Sequence, residues 1–240
     1  PYIAMTEEVL AAAGISLYRT GSRYRIPGGQ RYRLPSPLTV EGDWSAAAFF
    51  LCAGAMSREG IAVDGLSLPT RQGDSALLPL LRQMGAVVNL SSGCITVRKG
   101  RLRATDIDAR PIPDLIPPLS VLAAAAEGGS YIQNARRLRY KESDRLQGIA
   151  ELLNSLGGCL TVDGDGLLIH GVSHLRGGTV DPMGDHRLAM SAALAALSAD
   201  APVTVRDADC VSKSYPAFWA DFQSLKGEAP CPAPSETPSV

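Results

Sequence analysis

Three aspartates, Asp43, Asp114 and Asp185, stand 71 residues apart, and each precedes an alanine-rich apolar stretch. A β-prone segment begins 18 residues after each of them, at Ile61, Ile132 and Val203. Second helical patterns begin near Asp74, Asp144 and Tyr215, in phase to within one residue. Self-similarity at a fixed period signals a repeated supersecondary unit. Alternating and helical apolar periods succeed one another in the order β-α-β-α-β-β. The expected fold is therefore α/β (α+β in detail), made of repeated β-α-β-α-β-β units with approximate three-fold pseudosymmetry. The first strand of the first unit is expected at Leu38-Thr39-Val40. Residues 1–34 read as the back half, α-β-β, of an earlier unit.

The first helix of each unit has small residues on every face, as in Ala123–Ala126 and Ala192–Ala196, and is expected inside. The second helices are more polar and are expected to cover the outside. Asp163-Gly164-Asp165-Gly166 opens like a calcium loop but lacks the closing Glu, so it reads as a hairpin turn. Cys52, Cys94 and Cys159 lie among apolar residues and are expected in the core. The five cysteines form no CxxC pair, which fits a reducing cytoplasm. A formal net charge of −1 offers nucleic acid no bulk attraction. The apolar runs are too short and too alanine-rich to cross a bilayer. The proline-rich residues 227–240 read as a disordered tail.

Helices related by a three-fold axis turn their N-termini to one end of the domain. The loops at that end hold Asp114, Lys141, Glu142, Arg145, His186, Arg187 and Lys213. Helix N-termini together with four cations make an anion site, and acids inside it need a role. As a plain alternative, Asp43, Asp114 and Asp185 are N-caps, and that is the expectation for Asp43. His186 is balanced between a structural and a functional role.

Six segments carry a specific resemblance: Val40-Glu41-Gly42-Asp43, Gln72-Gly73-Asp74, Ile112-Pro113-Asp114, Arg139-Tyr140-Lys141-Glu142-Ser143-Asp144-Arg145, Asp185-His186-Arg187-Leu188-Ala189-Met190 and Val211-Ser212-Lys213-Ser214-Tyr215-Pro216. In order and spacing they resemble the 5-enolpyruvylshikimate-3-phosphate (EPSP) synthase family. The resemblance implies the enolpyruvyl transferase (inverse-repeat) fold and transfer of an enolpyruvyl group from phosphoenolpyruvate to the 5-hydroxyl of shikimate 3-phosphate. It implies a catalytic set of Asp114, Lys141 and Glu142, with Lys141 expected within salt-bridge or water-bridged reach of Asp114 and Glu142 expected on the phosphoenolpyruvate side with Arg187. It implies shikimate 3-phosphate contacts from Tyr2, Asp114, Arg137 and Lys141. Phosphoenolpyruvate falls to Arg145, Arg187 and Lys213, with His186 in support and neither metal nor cofactor. Arg137 departs from the pattern, since some members have an asparagine there.

The same resemblance divides the chain into residues 1–40, the tail of an N-terminal domain, and residues 41–226, a C-terminal domain of three repeats. The opening Pro1-Tyr2 then reads as the start of a fragment or processed chain. Its partner is the missing N-terminal half, which carries the family's other phosphate ligands. Two alternatives stay open: the related transferase acting on a UDP-amino sugar, and a non-catalytic module of the same fold. The Lys141-to-Arg145 segment and Lys213-to-Pro216 speak against the first, and joint retention of Asp114, Lys141, Glu142 and Arg187 against the second.

Overall fold

The structure is a computed structural model and describes residues 1–91 and 93–225. The expected tail 227–240, Cys231 and the turn residue Ser92 lie outside the described residues. Helix α1 (Tyr2–Ala12) and the hairpin β1 (Tyr18–Thr20)–β2 (Arg23–Arg25) come first. The first repeat follows with α2 (Trp44–Met56), β3 (Ile61–Val63), α3 (Leu77–Gln83), β4 (Val87–Ser91) and β5 (Cys94–Arg98). The second has β6 (Ile107–Asp108), α4 (Ile116–Ala124), β7 (Gly129–Gln133), α5 (Arg145–Ser155), β8 (Cys159–Asp163) and β9 (Gly166–His170). The third has β10 (Gly178–Val180), α6 (His186–Ala195), β11 (Val203–Val205) and α7 (Phe218–Ser224).

The 71-residue period is visible in the strand registers. Asp108 pairs with Gln133 in the parallel pair β6–β7, and Thr179 pairs with Thr204 in the parallel pair β10–β11. The second repeat makes a four-stranded sheet in the order β6-β7-β9-β8, while the first gives β3-β5-β4. The expected strand Leu38-Thr39-Val40 does not form, and Leu38 and Val40 are exposed. The register explains this. One period before β6 stands Ser36-Pro37, and a proline has no N–H to give a ladder. At the tip of β8–β9, Asp163 pairs with Gly166 across two residues, and Gly164 takes the left-handed φ of 57° that such a turn needs.

Every residue of α4 is buried, as is every residue of α6 except Arg187. These two helices pack on each other and on α2, so the inner helices meet as their small-residue faces predict. Helix α5 lies outside them. It buries Leu146, Ile149, Leu152 and Leu153 and turns Gln147, Glu151 and Asn154 to solvent. Each such leucine contributes roughly 1.5–3 kcal/mol by leaving water. Helix α7 docks through Phe218, which stacks on Phe222 at 5.4 Å and meets Phe50 edge-on at 5.8 Å. Cys52 and Cys94 are buried as expected, but Cys159 is exposed, because it begins the edge strand β8. Helix α1 buries none of its residues. Among the described residues, no helix is long and apolar enough to cross a membrane.

Candidate active site

The starts of the inner helices set the site. At α2, Asp43 is an N-cap, accepting from the backbone N–H of Ser45 at 2.8 Å and Ala46 at 3.2 Å. At α6, Asp185 accepts from the N–H of Arg187 at 2.9 Å. Asp114 caps nothing. One period after Ala46 stands Pro117, which has no N–H, and Pro118 follows it. The chain passes instead through a 3-10 turn, Pro113–Leu115, before α4 begins. With the i+3 donor gone and the 3-10 turn in place of a cap, the Asp114 carboxylate turns to side chains.

Its two oxygens are used differently. Oδ1 accepts from Lys141 Nζ at 3.0 Å and Arg145 Nη1 at 2.8 Å, with Arg187 Nε at 3.6 Å. Oδ2 accepts only a neutral donor among the described residues, the Tyr2 hydroxyl at 3.3 Å. Burial pushes the Asp114 carboxyl up, but Arg187, Lys141 and Arg145 together outweigh it and hold it below the usual range. The Tyr2 phenol is pushed up to about 12 by burial and by the Asp114 and Asp74 carboxylates. The expected approach of Lys141 to Asp114 is therefore present.

Arg145 ties the cluster together. It opens α5 behind the N-cap Asp144, where a cation opposes the helix dipole unless anions surround it. Its side chain is 1% exposed. Nε donates to Asp185 Oδ2 at 2.7 Å, Nη1 to Asp114 and Nη2 to Glu142 Oε2 at 2.5 Å. Asp185, fully buried, also accepts from the Ser143 hydroxyl at 3.2 Å. The sequence pattern showed Asp185 only as a possible cap. Its second role could have been suspected from its 71-residue offset to Asp114.

Glu142 leaves an extended Lys141, so the two neighbouring side chains diverge. Its Oε1 accepts from Lys213 Nζ at 2.9 Å. Burial pushes the Glu142 carboxyl up, but the Lys213 contact, its own backbone N–H and Arg145 bring it down to about 2. Glu142 was expected beside Arg187. It pairs with Arg145 and Lys213 instead, while Arg187 turns to Asp114. His186 is buried and its Nδ1 has no hydrogen-bond partner among the described residues; burial, then Arg187, push the ring down. It lies with Glu142 and Asp185 in a group whose ligand atoms are within 4.8 Å of one another. Both carboxylates already face Arg145, so the charge balance suits an anion better than a metal cation. Arg137 is not brought into the cluster. It is exposed and lines a separate cleft of about 560 Å³ with Arg110, Gln133, Asn134 and Arg136.

Gln72 earns its place by joining two segments: its side chain accepts from the Trp44 N–H at 3.0 Å and donates to Gly42 O at 2.9 Å. Residues 1–222 match the family model of EPSP synthase (3-phosphoshikimate 1-carboxyvinyltransferase). The chain belongs to the EPSP synthase family. It is 40% identical over 230 residues to a 3-phosphoshikimate 1-carboxyvinyltransferase of Clostridium kluyveri, covering 95% of this chain and 53% of that protein. It is 43% identical over 227 residues to one of Methanocella arvoryzae, covering 94% and 53%. An EPSP synthase structure from Acinetobacter baumannii superposes with a TM-score of 0.78 at 28% identity, over 93% of this chain and 54% of that one. The chain spans about half the length of the curated relatives it matches. The EPSP synthase match includes every member of the cluster, from Tyr2 to Lys213.

Proposed function

We propose that this chain supplies one part of a site that transfers the enolpyruvyl group of phosphoenolpyruvate to the 5-hydroxyl of shikimate 3-phosphate and releases phosphate. The observation that carries this reading is the divided carboxylate of Asp114. Three cations at Oδ1 keep it ionised, while Oδ2 takes a single hydroxyl donor. A substrate alcohol entering at Oδ2 replaces the Tyr2 phenol as donor. Its oxygen bonds to the central carbon of phosphoenolpyruvate and its proton passes to Asp114. The methylene carbon gains a proton from Glu142 and later returns it, and phosphate departs with the bonding electrons and the proton from Asp114.

Arg187 and Lys213 bind phosphoenolpyruvate as charge-assisted donors. Tyr2 and Lys141 face shikimate 3-phosphate, and Arg137, which lines the separate cleft, is left out of that set. Arg145, each of whose three guanidinium nitrogens donates to a carboxylate, acts on phosphoenolpyruvate as a positioning residue, and His186 supports it. Residues 1–40 belong to the tail of a first domain and 41–226 to a second of three repeats. The half that the longer relatives carry provides the remaining ligands, in a cytoplasmic setting. Alone, the chain is expected to release phosphate far more slowly than a full-length relative, since both reactants must be held in register. Isothermal titration with shikimate 3-phosphate and with UDP-N-acetylglucosamine tests the reading. Binding of the first, lost in Lys141→Met, is expected. Binding of the sugar nucleotide alone would transfer the chain to the UDP-amino-sugar reading.

A further inference from the structure

Glu142 is held by two cations of opposite character. Arg145 is 1% exposed and fixed by Asp114 and Asp185 as well as Glu142. Lys213 ends the 3-10 turn Ala208–Lys213, its side chain is 56% exposed, and Glu142 is its only ion-pair partner among the described residues. An ammonium on a four-carbon stem can re-aim where a three-way guanidinium cannot. An ion pair with one solvent-exposed partner is weakly held, so a phosphate group competes readily for the lysine.

We propose that Lys213 is a movable arm: it pairs with Glu142 and leaves it for the phosphate of an incoming anion, so that anion binding itself arms Glu142 for proton transfer. This rests on the reading above, in which Glu142 carries the proton to the methylene carbon. Glu142 faces Arg145 and Lys213, its own backbone N–H, and the nearby Asp185 and His186 at the start of α6. Departure of Lys213 removes a cation, and arrival of phosphate adds negative charge. Both changes favour the protonated carboxyl. Glu142 then takes one proton from water. It gives that proton to the methylene carbon as the double bond's electron pair forms the C–H bond, and takes it back when the double bond re-forms.

The test is carboxyl ¹³C NMR of the chain at pH 4, with the Glu142 signal assigned by its loss in Glu142→Gln and folding checked by circular dichroism. Free, Glu142 should be about 1% protonated; with saturating inorganic phosphate, or in Lys213→Met, about 10% or more, a pKa rise of at least about one unit. Lys213→Met should also blunt any further response to phosphate. An unchanged Glu142 signal in Lys213→Met overturns the proposal without reference to any ligand. So does phosphate that fails to bind, or binds and leaves Glu142 ionised. The two ideas fail separately: if shikimate 3-phosphate binds but Glu142 does not respond, the arm is wrong; if Glu142 responds to phosphate but shikimate 3-phosphate does not bind, the substrate assignment is wrong.

Discussion

Asp74 and Asp114 sit at the same end of the repeats, close enough for each charge to act on the other, yet their surroundings treat them in opposite ways. Asp74 lies in the turn Gly73–Ala76 ahead of α3, is 4% exposed, and accepts from the Ser45 hydroxyl at 2.5 Å. It has no ion pair among the described residues. Burial therefore wins and pushes its carboxyl up, with Ser45 opposing. Asp114 pays the same penalty but meets three cations, and its carboxyl goes down. Burial alone does not decide whether an acid stays charged; the partner set does. The three cations at Asp114 come from two distant stretches, Lys141–Arg145 and the start of α6, and only the fold brings them together.

Removing the shared guanidinium should break this contrast most severely. Arg145→Met leaves three carboxylates, one of them fully buried, without their common cation. A loss of about 3–5 kcal/mol is expected in urea unfolding, because the charges left behind lack compensation. A loss under about 1 kcal/mol would show that the cluster is not held by Arg145. Acid should come next. Asp114 and Glu142 titrate below their unfolded values, so their stabilisation is complete above about pH 4–5 and disappears as the pH falls toward 2. Asp74 has the opposite sign: its penalty is present above its raised pKa and is relieved as it protonates. Unfolding free energy should thus fall between pH 5 and 2 in the parent chain. Glu142→Gln should flatten part of that slope, and Asp74→Asn should steepen it by removing the opposing contribution.

A smaller effect should separate Asp114 from its repeat counterpart Asp43. Asp43→Ala removes two cap contacts and should cost about 1 kcal/mol by denaturant titration, leaving shikimate 3-phosphate binding unchanged. Altered binding would place Asp43 in the site as well. The smallest change belongs to a pair outside the cluster. Arg101→Ala breaks an exposed contact to Glu127 and should shift stability by less than about 1 kcal/mol.

Much of this was legible before any coordinates. The 71-residue spacing of Asp43, Asp114 and Asp185 gave the unit, the inner helices and the end where their N-termini gather. Lys141 joins Asp114 because the repeat turns both to one end and the family motifs include both. The missing strand at Leu38–Val40 was readable too, had Pro37 been compared with its counterpart Asp108 one period later. Pro117 likewise marked Asp114 as the aspartate lacking the second capping donor that Asp43 finds at Ala46. Two things were not legible. Whether Arg187 turned to Glu142 or to Asp114 depends on side-chain packing between loops far apart in sequence. That Arg145 would be buried on three carboxylates also escaped notice, since a charged residue in a first helical turn ordinarily reads as surface.

The central claim is that cations, not exposure, keep Asp114 ionised at the mouth of α4. Carboxyl ¹³C NMR titration of aspartate-labelled chain tests it most directly, with Asp114 and Asp74 assigned by substitution to asparagine. Asp114 should titrate below the usual aspartate range and Asp74 above it, and Arg187→Ala should move Asp114 upward. An Asp114 that titrates at or above the ordinary value, or that ignores the loss of Arg187, would contradict the account.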